Sequence, residues 1–359
     1  MTKTEFRRYP GIDLVKGLSI IGVVLLHSVR SGTLLSTGLI YLVQPVQVFC
    51  LLLGMNLALF ASSRRLQTMG DFLHSDYIVR RLYRLLPPLV AAALITLLCT
   101  RLLGTPGVQR PILHLLAGLP PIVTGPGDYF IAVFWQFIWL SPLLWLAQQK
   151  LKPCVFLTIA IALDLGFQLL MSRTLWGLRS YWFYRASILR YLTVIAIGQI
   201  LAMRLGVFRS RSRKIDWIEI YRQNWQLVLY GIIGAVMLAL QLYAGFAPFL
   251  EPWNGHNLLT FGFAIAAAYA VIQIRNTVQN ATISQLSKPF EILGQASLHI
   301  FLIQMLYFHR IAPLWSFTRD SFPQYVFAAL AVTIPVGLLF WMGEKAVLRL
   351  LKATRTRGT

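Results

Sequence analysis

The sequence has few charged side chains, and acidic ones are the scarcest. Only 13% of its 359 residues are charged, and Asp and Glu together number 12 against 33 Lys and Arg. An average soluble domain has about 25% charged and roughly 45–50% apolar residues, whereas 57% of this chain is hydrophobic. A water-soluble fold cannot hide so much apolar surface. The composition therefore argues against an ordinary globular domain and indicates an integral membrane protein.

Cysteine is also scarce, and the chain lacks the spacings that indicate metal sites or disulfide frameworks. Cys50, Cys99 and Cys154 are isolated inside apolar stretches, so we predict that they are packing residues and that no metal is bound. The net charge of +21 is compatible with nucleic acid, an anionic membrane surface or an anionic ligand. High hydrophobicity argues against nucleic acid, which leaves membrane lipids and an anionic ligand as expected partners.

Long hydrophobic runs make up most of the chain. Crossing a hydrocarbon core takes roughly 20 largely apolar residues. We predict an all-α protein with about ten transmembrane helices, near residues 12–29, 38–61, 86–103, 129–147, 154–171, 187–205, 225–244, 257–274, 291–309 and 324–343. Segment 112–124 is apolar but too short to span, so we predict an interfacial or re-entrant piece. The connections are too short for a soluble domain, which predicts one multi-pass domain over residues 1–359.

The distribution of basic residues predicts the orientation of these helices. Cytoplasmic flanks of membrane proteins carry an excess of Lys and Arg. With the N-terminus inside, most basic residues fall on the cytoplasmic side, including the runs Arg64-Arg65, Arg80-Arg81, 209–214 and 345–357. We therefore predict that both termini are cytoplasmic. The first helix contains Asp13 and Lys16 and has no small-residue cleavage site, so we expect it to be retained.

The first predicted helix carries two ionisable groups, Lys16 and His27. Ten residues separate them, which places both on one helical face about 16 Å apart. An imidazole can remove a proton from a hydroxyl or attack an activated acyl group itself, and Lys16 offers a cation to a phosphate. Alternatively, His27 bonds a neighbouring helix and Lys16 extends to the surface beside Asp13. The residues alone leave both interpretations open.

A pair of arginines precedes the third predicted span. Arg81 and Arg84 are three residues apart in RRLYRLLPP and share one helical face. Two guanidinium groups at the cytoplasmic boundary suit a phosphate or pyrophosphate. An arginine cluster beside a membrane helix can also bind lipid headgroups or simply follow the positive-inside rule.

Other polar residues lie within the predicted spans. Most are expected to make hydrogen bonds between helices: Gln44, Gln47, Asn56, Gln136, Gln168, His299 and Gln304. The lone carboxyl of Asp164 is expected to pair with an arginine of another helix. The segment WGLRSYWFYRASILR mixes aromatics with Arg179, Arg185 and Arg190, a mixture found both at membrane interfaces and in sugar-binding sites.

Together these features resemble acyltransferase family 3, whose membrane proteins move acyl groups from a cytoplasmic thioester donor to extracytoplasmic glycans. One family signature is a basic residue, ten residues and a histidine in the first helix, matched by Lys16 and His27 in IDLVKGLSIIGVVLLH. The other is Arg-x-x-Arg before the third helix, matched by Arg81 and Arg84. The chain departs from the family at 53–55, where a Ser-Gly-Phe stretch is frequent, and at Gln304, where a histidine is frequent.

The resemblance implies His27 as the catalytic residue, and Lys16, Arg81 and Arg84 as ligands of acetyl-CoA or another acyl-CoA. It also implies a glycan or lipid-linked sugar as acceptor and a bacterial cytoplasmic (inner) membrane as location. We expect a central polar cavity that runs continuously from the arginines to His27. The alternative function is a transporter or flippase of an acyl- or glycolipid. The oligomeric state is left open.

Overall fold

The computed structural model describes residues 9–29, 43–103, 118, 122–173, 181–211, 217–244, 258–277, 281–314 and 322–357. Within these ranges the chain is helical and contains no β-strand. Most of the predicted interfacial segment 112–124 lies outside the described residues, as do residues 176–180, including Arg179, of the segment that mixes aromatics with arginines.

Thirteen α-helices lie within the described residues. They are α1 Pro10–Ser28, α2 Pro45–Arg64, α3 Met69–His74, α4 Tyr77–Leu103, α5 Tyr129–Lys150, α6 Pro153–Arg173, α7 Tyr181–Ala186, α8 Leu192–Arg211, α9 Trp217–Ala244, α10 Phe261–Thr277, α11 Ala281–Gln295, α12 Ser297–Leu306 and α13 Phe322–Arg357. A 3₁₀ turn over Ile188–Tyr191 joins α7 to α8, and a π-helical turn over Tyr307–Ile311 extends α12.

Seven helices in the described ranges are long and apolar enough to cross a membrane, and the number is eight if α11 and α12 form one span. These two helices meet at an angle of 61° around Ala296. The apolar part of α9 covers only Asn224–Leu240, and α10 has 17 residues. The described part of this multi-pass membrane protein is thus all-helical, while the figure of about ten spans stays a prediction.

The outer helices present apolar side chains away from the protein. On α4, Leu94 is 62% exposed and Leu98 is 58% exposed, and on α13 Leu339 is 65% exposed. Exposed leucines in such numbers would make a water-soluble surface prone to aggregation, but they match the hydrocarbon core of a bilayer. These faces of α4 and α13 are therefore suited to contact lipid.

Helix α1 lies at the centre of the helical bundle. It packs against α2, α10, α11, α12 and α13. The contact with α11 is close because glycines face it from both sides: a Cβ on Gly17 would collide with the carbonyl oxygen of Phe290, and one on Gly294 would collide with that of Asp13. Small residues of this kind allow two membrane helices to approach at backbone distance. The backbone that carries Lys16 is thereby fixed against α11.

The close contact between α1 and α11 predicts that two glycine substitutions differ strongly in their effect on the stability of the protein. Gly294→Ala should lower the free energy of unfolding by about 1–3 kcal/mol, because the methyl group forces α1 and α11 apart. Gly166→Ala is the matched control, since a Cβ at Gly166 in α6 would have no neighbour within 4 Å. Thermal unfolding of the purified protein in one detergent measures both. Equal stability of the two variants would contradict the close contact.

A short capped helix determines where α4 begins. At the start of α3, the Asp71 carboxylate accepts hydrogen bonds from the backbone N–H groups of Gln67 and Thr68, and Thr68 Oγ1 accepts one from the Asp71 N–H. These backbone hydrogen bonds lower the pKa of Asp71. Because the connection between α2 and α4 is ordered by this capping box, the position of the first turns of α4 is well defined.

Candidate active site

A cavity of about 620 Å³ lies between α1, α2, α4, α5, α11, α12 and α13. One part of its wall is charged or polar and includes Asp13, Lys16, Arg81, Arg84 and Glu344. The other part is apolar and includes phenylalanines from α2, α5 and α12, namely Phe49, Phe130, Phe134 and Phe301. The cavity therefore has a charged end and an aromatic end.

The charged end brings together Lys16, Arg81 and Arg84, the three residues predicted to bind the donor. Lys16 Nζ lies 3.6 Å from Asp13 Oδ1, the ion pair that the sequence also suggested. Arg81 and Arg84 are close enough to act electrostatically on Lys16. Because like charges repel, cations that converge on one cavity favour a bound anion.

Buried aromatic residues hold Arg81 in place. The Arg81 guanidinium lies 5.2 Å from the centroid of the Tyr77 ring, a cation–π distance. Tyr77 is itself 2% exposed and packs against Phe60 and Phe72. The first turn of α4 is thus anchored to α2 and α3, and Arg81 is positioned on the cavity wall. Arg84, one turn further along α4, is exposed at the same wall.

The structure adds a buried hydrogen-bonded pair to this wall that was not predicted from the sequence. His299 Nε2 of α12 lies 2.7 Å from Glu344 Oε2 of α13, and the imidazole ring is edge-on to Phe340. His299 was expected only to form hydrogen bonds between helices, and Glu344 was not singled out. Next to the pair, Lys345 Nζ lies 3.6 Å from the centroid of the Trp341 ring, and both residues line the cavity.

His27 lies beyond the aromatic end and is not among the residues that line the cavity. It occupies the last turn of α1, half-buried, with its ring edge-on to Phe308 at 6.0 Å between centroids. A Cβ at Gly127 would lie 3.6 Å from His27 Nε2 and 3.2 Å from the Phe301 ring. Phe301 therefore stands where the cavity meets the imidazole. The lining of the cavity includes Lys16, Arg81 and Arg84 but not His27, so a continuous passage from the arginines to His27 stays a prediction.

Asp164 belongs to a different, tightly packed cluster. It is fully buried in α6, and its Oδ1 accepts a hydrogen bond of 2.6 Å from Gln168 Nε2. Arg190 acts on it electrostatically and lies 4.5 Å from the centroid of the Tyr184 ring. Arg190 and Tyr184 are at most 3% exposed, so they pack within the protein and do not form an open sugar-binding surface.

Gln304, at the position where a histidine was expected from the resemblance, makes a hydrogen bond to the turn before α5. Its Nε2 donates a hydrogen bond of 3.0 Å to the carbonyl oxygen of Pro126. This bond ties α12 to the turn that precedes α5, the same turn that contains Gly127. Within the described ranges, no three His, Cys, Asp or Glu side chains come together in a way that could hold a metal ion.

Comparison with known families identifies the family of this chain. The family model for the acyltransferase domain of acyltransferase family 3 matches residues 9–342, nearly the whole chain. The match includes Lys16, His27, Arg81 and Arg84, and it ends just before Glu344. No curated protein and no solved structure matches the chain. A family match of this extent shows that the chain belongs to acyltransferase family 3 and is a membrane acyltransferase.

Proposed function

We propose that the protein is an O-acyltransferase that moves an acyl group, in the first place acetyl, from cytoplasmic acyl-CoA to a hydroxyl of an extracytoplasmic or lipid-linked glycan. The convergence of Lys16, Arg81 and Arg84 on one cavity carries the proposal. Coenzyme A has phosphates at one end and a thioester at the other. The cavity has a matching charged end and an apolar end that adjoins His27.

The orientation that follows is the one predicted from the basic residues. Both termini lie in the cytoplasm, about ten helices cross a bacterial inner membrane, and the charged end of the cavity faces the cytoplasm. The donor enters from that side, with its phosphates bound by Arg81, Arg84 and Lys16. The acceptor reaches His27 from the opposite side, and membrane lipids surround the outer helices.

Two chemical routes use His27, and atoms and charges balance in both. In direct transfer, the imidazole takes the proton of the acceptor hydroxyl, and the hydroxyl oxygen attacks the thioester carbonyl carbon. The C–S bond then breaks, an ester forms, and the imidazolium protonates the departing CoA thiolate. In two-step transfer, an imidazole nitrogen attacks the thioester carbonyl carbon, the C–S bond breaks, and CoA leaves as the thiol after taking the imidazole N–H proton. The acceptor hydroxyl then attacks the acyl-histidine, the N–C bond breaks, and the hydroxyl proton returns to the imidazole nitrogen.

The competing function is transport. The 61° bend between α11 and α12 beside the cavity is the structural feature that favours it, since transporters use interrupted helices at their binding sites. Full-length protein in proteoliposomes, supplied with radiolabelled acetyl-CoA and candidate glycans, tests both functions. We expect labelled acceptor that requires both substrates. Passage of acyl- or glycolipid without acyl-CoA, and no labelled acceptor, would instead support a transporter.

A further inference from the structure

Three phenylalanine rings form a continuous group at the aromatic end of the cavity. The centroids of Phe49 and Phe130 are 5.7 Å apart, and those of Phe130 and Phe301 are 6.0 Å apart at an interplanar angle of 73°. Both distances are typical of interacting aromatic pairs. The three residues come from α2, α5 and α12, so the group connects three helices at one level of the bundle.

Phe301 is the member of this group that shares a contact point with His27. It is 6% exposed and lines the cavity, and its ring lies beside the same point near Gly127 as His27 Nε2. Gly127 has φ +88°, a conformation that favours glycine, and a side chain there would crowd both rings. The absence of a side chain at Gly127 leaves a small space that the imidazole and the phenyl ring share.

We propose that Phe301 is a specificity-determining residue that limits the length of the acyl group delivered to His27, so that acetyl is accepted and longer chains are rejected. This inference rests on the proposed function. A thioester that approaches from the charged end must place its carbonyl carbon next to the imidazole. Its acyl substituent must then occupy the space bounded by Phe301 and the Gly127 backbone. Each extra methylene has to displace the Phe301 ring, which is packed edge-on with Phe130.

The test compares acyl-CoA donors of increasing length in one transfer assay. Wild-type protein should transfer acetyl faster than butyryl or hexanoyl. In Phe301→Ala the ratio of butyryl to acetyl transfer should rise by about tenfold or more, since one methylene in an apolar pocket changes selectivity by this order. Phe301→Leu, which retains an apolar contact and is expected to fold, should shift the ratio in the same direction by a smaller factor.

Phe134→Ala is the matched control. Phe134 lines the same aromatic end and is half-buried, but it belongs to neither of the ring pairs that lead to Phe301. Its removal enlarges the cavity without opening the space beside His27, so its ratio should stay within about twofold of wild type.

The possible failures can be told apart. Absence of acetyl transfer by wild-type protein contradicts the proposed function itself. Acetyl transfer by wild type with an unchanged length ratio in both Phe301 variants overturns the role of Phe301 alone. The same conclusion follows if wild type shows no preference for acetyl, or if Phe134→Ala shifts the ratio as much as Phe301→Ala.

Discussion

Replacing His27 by alanine should abolish acyl transfer while the protein stays folded and still binds acyl-CoA. Loss of a general base lowers the rate by at least about a hundredfold, and loss of a nucleophile removes the two-step route altogether. His299 is not expected to replace it, because it is 5% exposed and its Nε2 is bound to Glu344. Transfer of labelled acetyl, measured at saturating acyl-CoA, gives the loss directly.

A second histidine provides the control for this variant. His74 is exposed at the end of α3, where its Nδ1 lies 2.7 Å from the Gly70 carbonyl oxygen, and it does not line the cavity. His74→Ala should therefore retain wild-type activity. A His27→Ala protein that keeps more than about a tenth of the wild-type rate would refute a catalytic imidazole at this position. Label retained on wild-type protein without acceptor, and absent from His27→Ala, would favour the acyl-histidine route.

Arg81→Ala and Arg84→Ala should each raise the KM for acyl-CoA by about tenfold to a hundredfold and change kcat much less. A hydrogen bond to a charged group contributes roughly 1.5–3 kcal/mol, and this energy is lost when the phosphate loses its guanidinium partner. The double variant should bind the donor more weakly than either single variant. Isothermal titration calorimetry with a non-hydrolysable acyl-CoA analogue separates donor affinity from catalysis.

The sequence offers a neighbouring arginine as the control. Arg80 is exposed, lies 3.9 Å from Asp76 and does not line the cavity, so Arg80→Ala should leave the affinity unchanged. Arg81→Lys should recover part of the loss, because the charge is kept and the bidentate geometry is not. Unaltered acyl-CoA binding by the Arg81→Ala and Arg84→Ala proteins would contradict the phosphate role.

Most of the helices could be predicted from the sequence, because each is a separate apolar run that is long enough to form a helix whatever packs against it. The breaks within helices could not be predicted in this way. The hydropathy is high on both sides of Ala296, which predicts one continuous span, whereas α11 and α12 meet there at an angle of 61°. Asn224 likewise interrupts α9 with a non-helical backbone conformation. Such breaks depend on packing between helices, to which a hydropathy window is insensitive.

The site was predictable to the extent that it depends on local spacing. Lys16, Arg81 and Arg84 were found because they follow short motifs, and the structure places them on one cavity wall. The pairing of His299 with Glu344 joins residues 45 positions apart, so no local pattern indicates it. Phe301 was missed for a related reason. One phenylalanine among 22 in the chain becomes informative only when its neighbours in space are known.

The central position of α1 has a consequence for the choice of donor. Helix α1 carries both Lys16 and His27, so if these residues have the roles that we propose, the distance along the helix from the phosphate-binding lysine to the reacting imidazole is about 16 Å. A thioester would then be a good donor only if the arm between its phosphates and its carbonyl carbon covers that distance. Small acetyl thioesters that lack the nucleotide would be poor donors even at concentrations that compensate for weak binding, since nothing would hold their carbonyl carbon in register with the imidazole.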